Sequence, residues 1–229
     1  MSAQQKKRRE RVLAVAAHAD DETLGAGGTL ATHAAAGSDL CLLILSTSAL
    51  SRPGADHAAV NAHRRSCAQQ VAALYGAQLH LEDLPDNQFD TRPLLDVTRR
   101  IESVIADFAP TLVYTHAAAD LSRDHQITAH ATAAATRPQP GTSVRTVLAY
   151  EVPSATGWGI TTAFRPTWHQ PLSTHAVKVK MQALRIYDSE MRRWPHSRSV
   201  EAIRAQLAHR GAHVGVNASE AFEVIRHMA

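Results

Sequence analysis

The run His18-Ala19-Asp20-Asp21-Glu22 places an imidazole and three carboxylates in succession. It directly follows the apolar stretch Val12–Ala17, which reads as a buried strand. His18 and Asp21 are three positions apart, so in a tight turn or a first helical turn they face the same way. A neutral imidazole and a carboxylate are both good zinc ligands. Asp20 lies between them and must point elsewhere. A carboxylate beside a metal, but not bound to it, can take a proton from a water that the metal acidifies. Acidic residues also stabilise helix N-termini. That accounts for one acid in the first turn, and not for three plus a histidine at a strand end.

A second polar cluster, Asp120-Leu121-Ser122-Arg123-Asp124-His125, follows a later strand. His125 could complete a His/Asp/His zinc site with a position left open for water. Asp124 could orient a histidine or the substrate, or it could simply cap a helix. His116 comes just after the strand ending at Thr115, where a pocket residue and a satisfied structural histidine are equally expected. His130 is five positions beyond His125, turned well round a helix from it, and reads as surface or packing. Gly25-Ala26-Gly27-Gly28 lacks the G-x-G-x-x-G spacing, and acids occupy the turn where a pyrophosphate would sit. Its small residues suit a helix packed close on a sheet.

The elements that must carry these clusters alternate. Strands are expected at Val12–Ala17, Leu40–Leu45, Leu79–Leu81, Leu112–Thr115 and Val144–Tyr150. Helices are expected at Thr23–Ala36, from Asp56 to Tyr75, from Pro93 to Phe108, and at Asp124–Thr136. Gly37, Gly76 and Pro110 supply stops. Pro153–Pro171 reads as a long irregular loop, with Trp158 and Trp168 as a candidate apolar wall. Two helices should follow, at His175–Tyr187 and Ser199–Ala208. The alternation predicts an α/β fold with a mainly parallel sheet covered by helices on both faces. Ligands of such sheets bind beyond the carboxyl ends of the strands, where both clusters fall.

The 229 residues are 45% hydrophobic and 20% charged, a globular composition with room for one large core. We expect a basic tail over residues 1–11 and a single domain over 12–229. Lys6, Lys7, Arg8, Arg9 and Arg11 account for the net charge of +3, and no aromatic residues interleave with them. That argues for a solvated tail and against a nucleic-acid partner. Cys41 and Cys67 have neither metal-site nor disulfide spacing, consistent with a reduced, cytoplasmic setting. No apolar run reaches membrane-spanning length.

Six segments together resemble the PIG-L/LmbE-like de-N-acetylases. They are Ala17–Leu30, Asp120–His125, Tyr150–Gly159, Lys180–Glu190, Trp194–Ile203 and Arg210–Phe222. The resemblance implies a Rossmann-like fold and one zinc ion per chain, held by His18, Asp21 and His125, with Asp20 as general base. The implied substrate is a small N-acylated amino sugar or glycoconjugate, commonly one containing N-acetylglucosamine, from which the acyl (in the first instance acetyl) group is removed. Arg64, Ser122 and Glu151 are then expected at the substrate, and Asp124 in the catalytic group. Many members carry histidine where Ser122 stands. A serine can donate a hydrogen bond but cannot carry positive charge. The acid role then falls on Asp20 once protonated, on His116 or on His196. A non-catalytic sugar- or nucleotide-binding module, and a metal-dependent amidase acting on a non-sugar amide, are the competing readings. A homo-oligomer is compatible with all three.

Overall fold

The computed structural model of the chain describes residues 9–48, 56–158 and 163–228. One seven-stranded sheet runs through it. Its strands are β1 (Arg11–His18), β2 (Asp39–Ser46), β3 (Gln78–Leu81), β4 (Leu112–His116), β5 (Thr146–Tyr150), β6 (Trp168–Pro171) and β7 (Ser219–His227). The spatial order is β3-β2-β1-β4-β5-β7-β6. β1 to β5 are mutually parallel, whereas β7 runs antiparallel to both β5 and β6. The helices are α1 (Asp21–Ala35), α2 (His57–Tyr75), α3 (Leu94–Phe108), α4 (Arg123–Ala135), α5 (Thr174–Ile186) and α6 (Val200–Ala212).

Alternating side chains of the strands split the core in two. Val12, Ala14 and Ala16 of β1 pack with residues of α1, α2, α5 and α6, while Leu13, Val15 and Ala17 pack with residues of α3 and α4. Both faces of β1 are therefore covered, which is why its sequence is continuously apolar rather than alternating. The fold is the expected α/β sandwich with a mainly parallel sheet. No helix among the described residues is long and apolar enough to cross a membrane.

The chain fills the sheet in two directions. From β1 it moves outward through β2 to β3, then returns to place β4 on the other side of β1. The order therefore reverses between β1 and β4, and a crevice opens there at the carboxyl ends of the strands. α1 springs directly from β1 at this point. Asp21 through Ala31 of α1 are all buried, so its contact residues must be small. A Cβ at Gly25 would lie 2.2 Å from Cδ2 of Tyr150, and one at Gly28 would lie 2.5 Å from Cδ1 of Leu172. Tyr150 has no freedom to withdraw, because its hydroxyl donates to the Val15 carbonyl at 2.8 Å. Two distant segments also grip α1. Glu220 of β7 accepts the N–H groups of Gly28 and Thr29 at 2.9 and 2.7 Å, and Lys180 of α5 donates to Glu220 at 2.6 Å and to the Leu24 carbonyl at 2.7 Å.

Two expectations change, and one strand was not expected at all. Arg11 belongs to β1 rather than to a flexible tail: its guanidinium bonds the Phe108 carbonyl at 2.7 Å and Asp39 at 3.0 Å. Lys6, Lys7 and Arg8 lie outside the described residues. The stretch 153–171 ends in β6 instead of remaining irregular. The last segment forms β7, whose half-polar sequence resembles neither a buried parallel strand nor a clean alternation.

Candidate active site

His18 ends β1, and Asp20 and Asp21 start α1. Asp20 adopts φ 133°, a left-handed conformation that non-glycine residues rarely take. This sharp turn swings Asp21 back under His18, whose N–H donates to Asp21 Oδ2 at 2.9 Å. From the other side of the crevice, Ser122 caps α4, its hydroxyl accepting from the His125 N–H at 3.4 Å. That cap fixes the first turn of α4 and with it the direction of His125.

The three groups converge. His18 Nδ1 is 3.3 Å from Asp21 Oδ2 and 3.3 Å from His125 Nε2, and His125 Nε2 is 3.2 Å from Asp21 Oδ2. Ligands at zinc's ordinary bond lengths in a tetrahedron stand about 3.3 Å apart. The donor set, two imidazoles and a carboxylate, also suits that ion. Asp21 Oδ1 is buried with no hydrogen-bond partner among the described residues, a second sign of a group built to receive something. The residues present therefore fit a zinc ion at His18, Asp21 and His125.

Carboxylates back both imidazoles. Asp124 Oδ2 lies 2.9 Å from His18 Nε2, which fixes the proton on Nε2 and turns the Nδ1 lone pair towards Asp21 and His125. Asp124 is itself pinned by the N–H groups of Asn87 at 2.7 Å and Phe89 at 3.1 Å. Asp120 Oδ2 stands 3.2 Å from His125 Nδ1 and accepts from the Thr156 hydroxyl at 2.7 Å. Asp86 Oδ1 lies 3.3 Å from His18 Nε2. Without a metal, the carboxylates decide the protonation. Burial works against a charged His125, but Asp21 and Asp120 outweigh it and raise the ring to about 9. Burial also opposes ionisation of Asp21, yet His125 and His116 hold it well below the usual carboxylate range.

A cleft of about 530 Å³ lies over this cluster. His18, Asp20, Asp21 and His125 line its floor, together with Arg64, Asp86, Ser122 and Arg198. Burial pushes Asp20 up to about 7, with Arg198 opposing and the neighbouring carboxylates reinforcing the rise. Arg64 donates through Nε to Glu190 at 3.1 Å and through Nη1 to the Ser48 carbonyl.

Three expected residues are not brought to the cleft. His116 is fully buried beneath it, stacked on His125 with ring centres 4.0 Å apart. Its Nε2 accepts the Ala17 N–H at 2.9 Å, and burial pushes the ring down to about 3. A ring so placed neither meets a substrate nor carries a proton near neutral pH. His196 is exposed and accepts the Arg198 N–H at 3.0 Å, so it shapes the turn that presents Arg198. Glu151 forms a forked pair with Arg210 of α6, at 2.7 and 2.8 Å, away from the cleft. Trp158 and Trp168 also lie outside the cleft lining, and His130 is exposed on α4.

Four residues that the structure brings in have no role that their sequence positions alone assign: Asp86, Asp120, Glu190 and Arg198. Asp120, Glu190 and Arg198 lie inside segments already singled out, and their charge is the available signal. Arg198 is 178 positions from its partner Asp20, and only the fold joins them.

The family described as "PIG-L: GlcNAc-PI de-N-acetylase" matches residues 13–136, a little over half of the chain. The match takes in both arms of the cluster, His18–Asp21 and His125. No curated protein matches the chain. Among solved structures, the N,N'-diacetylchitobiose deacetylase of Pyrococcus horikoshii is 17% identical with a TM-score of 0.77, over 96% of this chain and 85% of that one. The 4-carboxy-2-hydroxymuconate hydratase GalB of Pseudomonas putida KT2440 is 21% identical with a TM-score of 0.77, over 96% and 98%. The zinc-inhibited form of the teicoplanin deacetylase Orf2 is 20% identical with a TM-score of 0.75, over 94% and 98%. At these identities the likeness is one of fold.

Proposed function

The chain belongs to the GlcNAc-PI de-N-acetylase (PIG-L) family, and on that premise we propose that it is a zinc-dependent hydrolase removing an N-acyl group from an amino sugar or its conjugate. The observation that carries this reading is the triangle of His18 Nδ1, Asp21 Oδ2 and His125 Nε2 with Asp20 beside it on the cleft floor. An ion held there would supply Lewis-acid polarisation of the amide carbonyl and lower the pKa of a water from about 16 to roughly 7.

The chain's own groups do the rest. Asp20 accepts the proton of the attacking water as its oxygen bonds to the carbonyl carbon. With His116 buried and neutral and His196 outside the cleft, Asp20 is also the group that returns this proton to the nitrogen as the C–N bond breaks. Water is consumed, and a carboxylate and a free amine leave. Asp124 keeps His18 in the tautomer and orientation the site needs, and Asp120 does the same for His125. Arg64 is fixed by Glu190 and Ser48, and its Nη2 has no partner among the described residues. We assign it to a sugar hydroxyl, with Ser122 also lining the cleft.

The fold alone does not choose this chemistry, since a neighbour named as a hydratase is as similar as one named as a deacetylase. Family membership and the triangle support hydrolysis. The test is amine release by the zinc-reconstituted protein from N-acetylated monosaccharides, sugar nucleotides and glycosides. Release from a sugar substrate is expected. Binding of the sugar with no metal uptake would instead favour a non-catalytic module. Turnover of simple anilides alone would favour a non-sugar amidase.

A further inference from the structure

Arg198 sits just ahead of the Ser199 cap of α6 and reaches across the cleft to the start of α1. Its Nη1 donates to Asp20 Oδ2 at 2.8 Å and its Nε to Ser154 Oγ at 2.9 Å. Its backbone is held as well, the N–H by His196 Nδ1 at 3.0 Å and the carbonyl by the Arg192 N–H at 3.3 Å. Among the described residues, the neighbours of Asp20 in sequence hold its backbone and not its carboxylate. Its carbonyl accepts from Thr23 and Leu24 at 3.0 and 2.8 Å, and its N–H donates to Glu22 Oε2 at 3.2 Å. The carboxylate has Arg198 as its hydrogen-bond partner, and Oδ1 has none among the described residues. A carboxylate on a flexible Cβ, next to a ligand cluster, has an obvious wrong position: it can swing in and ligate.

We propose that Arg198 is a positioning residue for the deacylation. By holding Oδ2 it leaves Oδ1 facing the cleft, and it keeps the Asp20 carboxylate out of the ligand set that His18, Asp21 and His125 complete. The inference rests on the functional reading above. Two features of the residue suit it to this work. A guanidinium stays charged at every working pH, which offsets the crowding of Asp20, Asp21, Glu22 and Glu190. Its planar fork spans two acceptors at once, Asp20 and Ser154, whereas a single ammonium holds one geometry less firmly.

The test compares wild type, Arg198→Met and Arg198→Lys after zinc loading. Metal content, steady-state kinetics and zinc-bound crystal structures are measured for each. Zinc stoichiometry is expected to match wild type in both variants. In Arg198→Met, kcat should fall about 100-fold with KM little changed, the scale of a misplaced catalytic group. Arg198→Lys should recover part of that loss. In the crystal, the Asp20 carboxylate of Arg198→Met should leave its wild-type rotamer while His18, Asp21 and His125 stay in place. A kcat within about twofold of wild type, or a defect confined to KM, would overturn the proposal. So would an Asp20 carboxylate that keeps its place without Arg198. If the methionine variant does not fold, the lysine variant decides by the same criteria. Should wild type release no amine from any amino sugar, the deacylase reading falls, and the position of Asp20 in the crystals still decides the role of Arg198.

Discussion

Asp124 meets Nε2 of His18 at 2.9 Å and thereby decides which nitrogen of that histidine faces the ligand cluster. The contact joins the two halves of the sheet at the reversal between β1 and β4. Asp124→Asn keeps the shape but exchanges a charged acceptor for an amide, so His18 loses its preferred tautomer. Zinc affinity, measured by competition with a chromogenic chelator, should drop about 10- to 100-fold. An unchanged affinity would mean that His18 is oriented by Asp86 or by packing instead.

Gly25 faces Tyr150, whose ring would lie 2.2 Å from an added Cβ. The ring is tethered to Val15 and cannot turn away. Gly25→Ala should therefore cost about 1–3 kcal/mol by overpacking, despite alanine's better helix propensity. Denaturant unfolding measures it. A stabilised variant would show that α1 is free to lift from the sheet.

Lys180 and Glu220 are each almost wholly buried and lie 2.6 Å apart. Removing one partner strands a charge in the core. Lys180→Met should lose about 3–5 kcal/mol in the same unfolding assay. The double variant Lys180→Met/Glu220→Gln should lose less, because glutamine still accepts from the α1 backbone without carrying charge. Equal losses would show that the Lys180 bond to Leu24, rather than the charge pair, dominates.

Cys41 is fully buried in β2, and burial pushes its thiol up to about 12. Cys67 is also buried and donates to the Ile186 carbonyl at 3.1 Å. Neither should react with a disulfide reagent at pH 8 until the protein unfolds, when both should titrate. Rapid labelling of either in the native state would contradict the packing described.

Much of this was legible before the fold was known. The continuous apolar runs of β1 and β2 announced buried parallel strands. Asp56 and Gly76 marked the ends of α2, and the structure shows Asp56 accepting from Ala59 and Gly76 in the left-handed region. The convergence of His18, Asp21 and His125 followed from two polar clusters at strand ends. What stayed hidden depends on contacts between distant segments. β7 carries Glu220 in its buried half, and that residue reads as a surface acid until Lys180 and the α1 backbone are seen around it. Glu151 reads as a site residue until Arg210 is found holding it. His196 stands out by its place in a segment that resembles the family, whereas Arg198, two positions later, is the one that enters the cleft. Chain position says which groups can do chemistry. The sheet order says which of them meet.

In the proposed function, His18, Asp21 and His125 hold the metal while Asp20 moves the proton. The most direct measurement is amine release by zinc-loaded wild type and zinc-loaded Asp20→Asn on one N-acetylated amino sugar, with metal content determined on the same samples. Equal zinc is expected in both, with a rate at least about 100-fold lower in the variant, the scale of a lost general base. Equal zinc with equal rates would contradict that assignment.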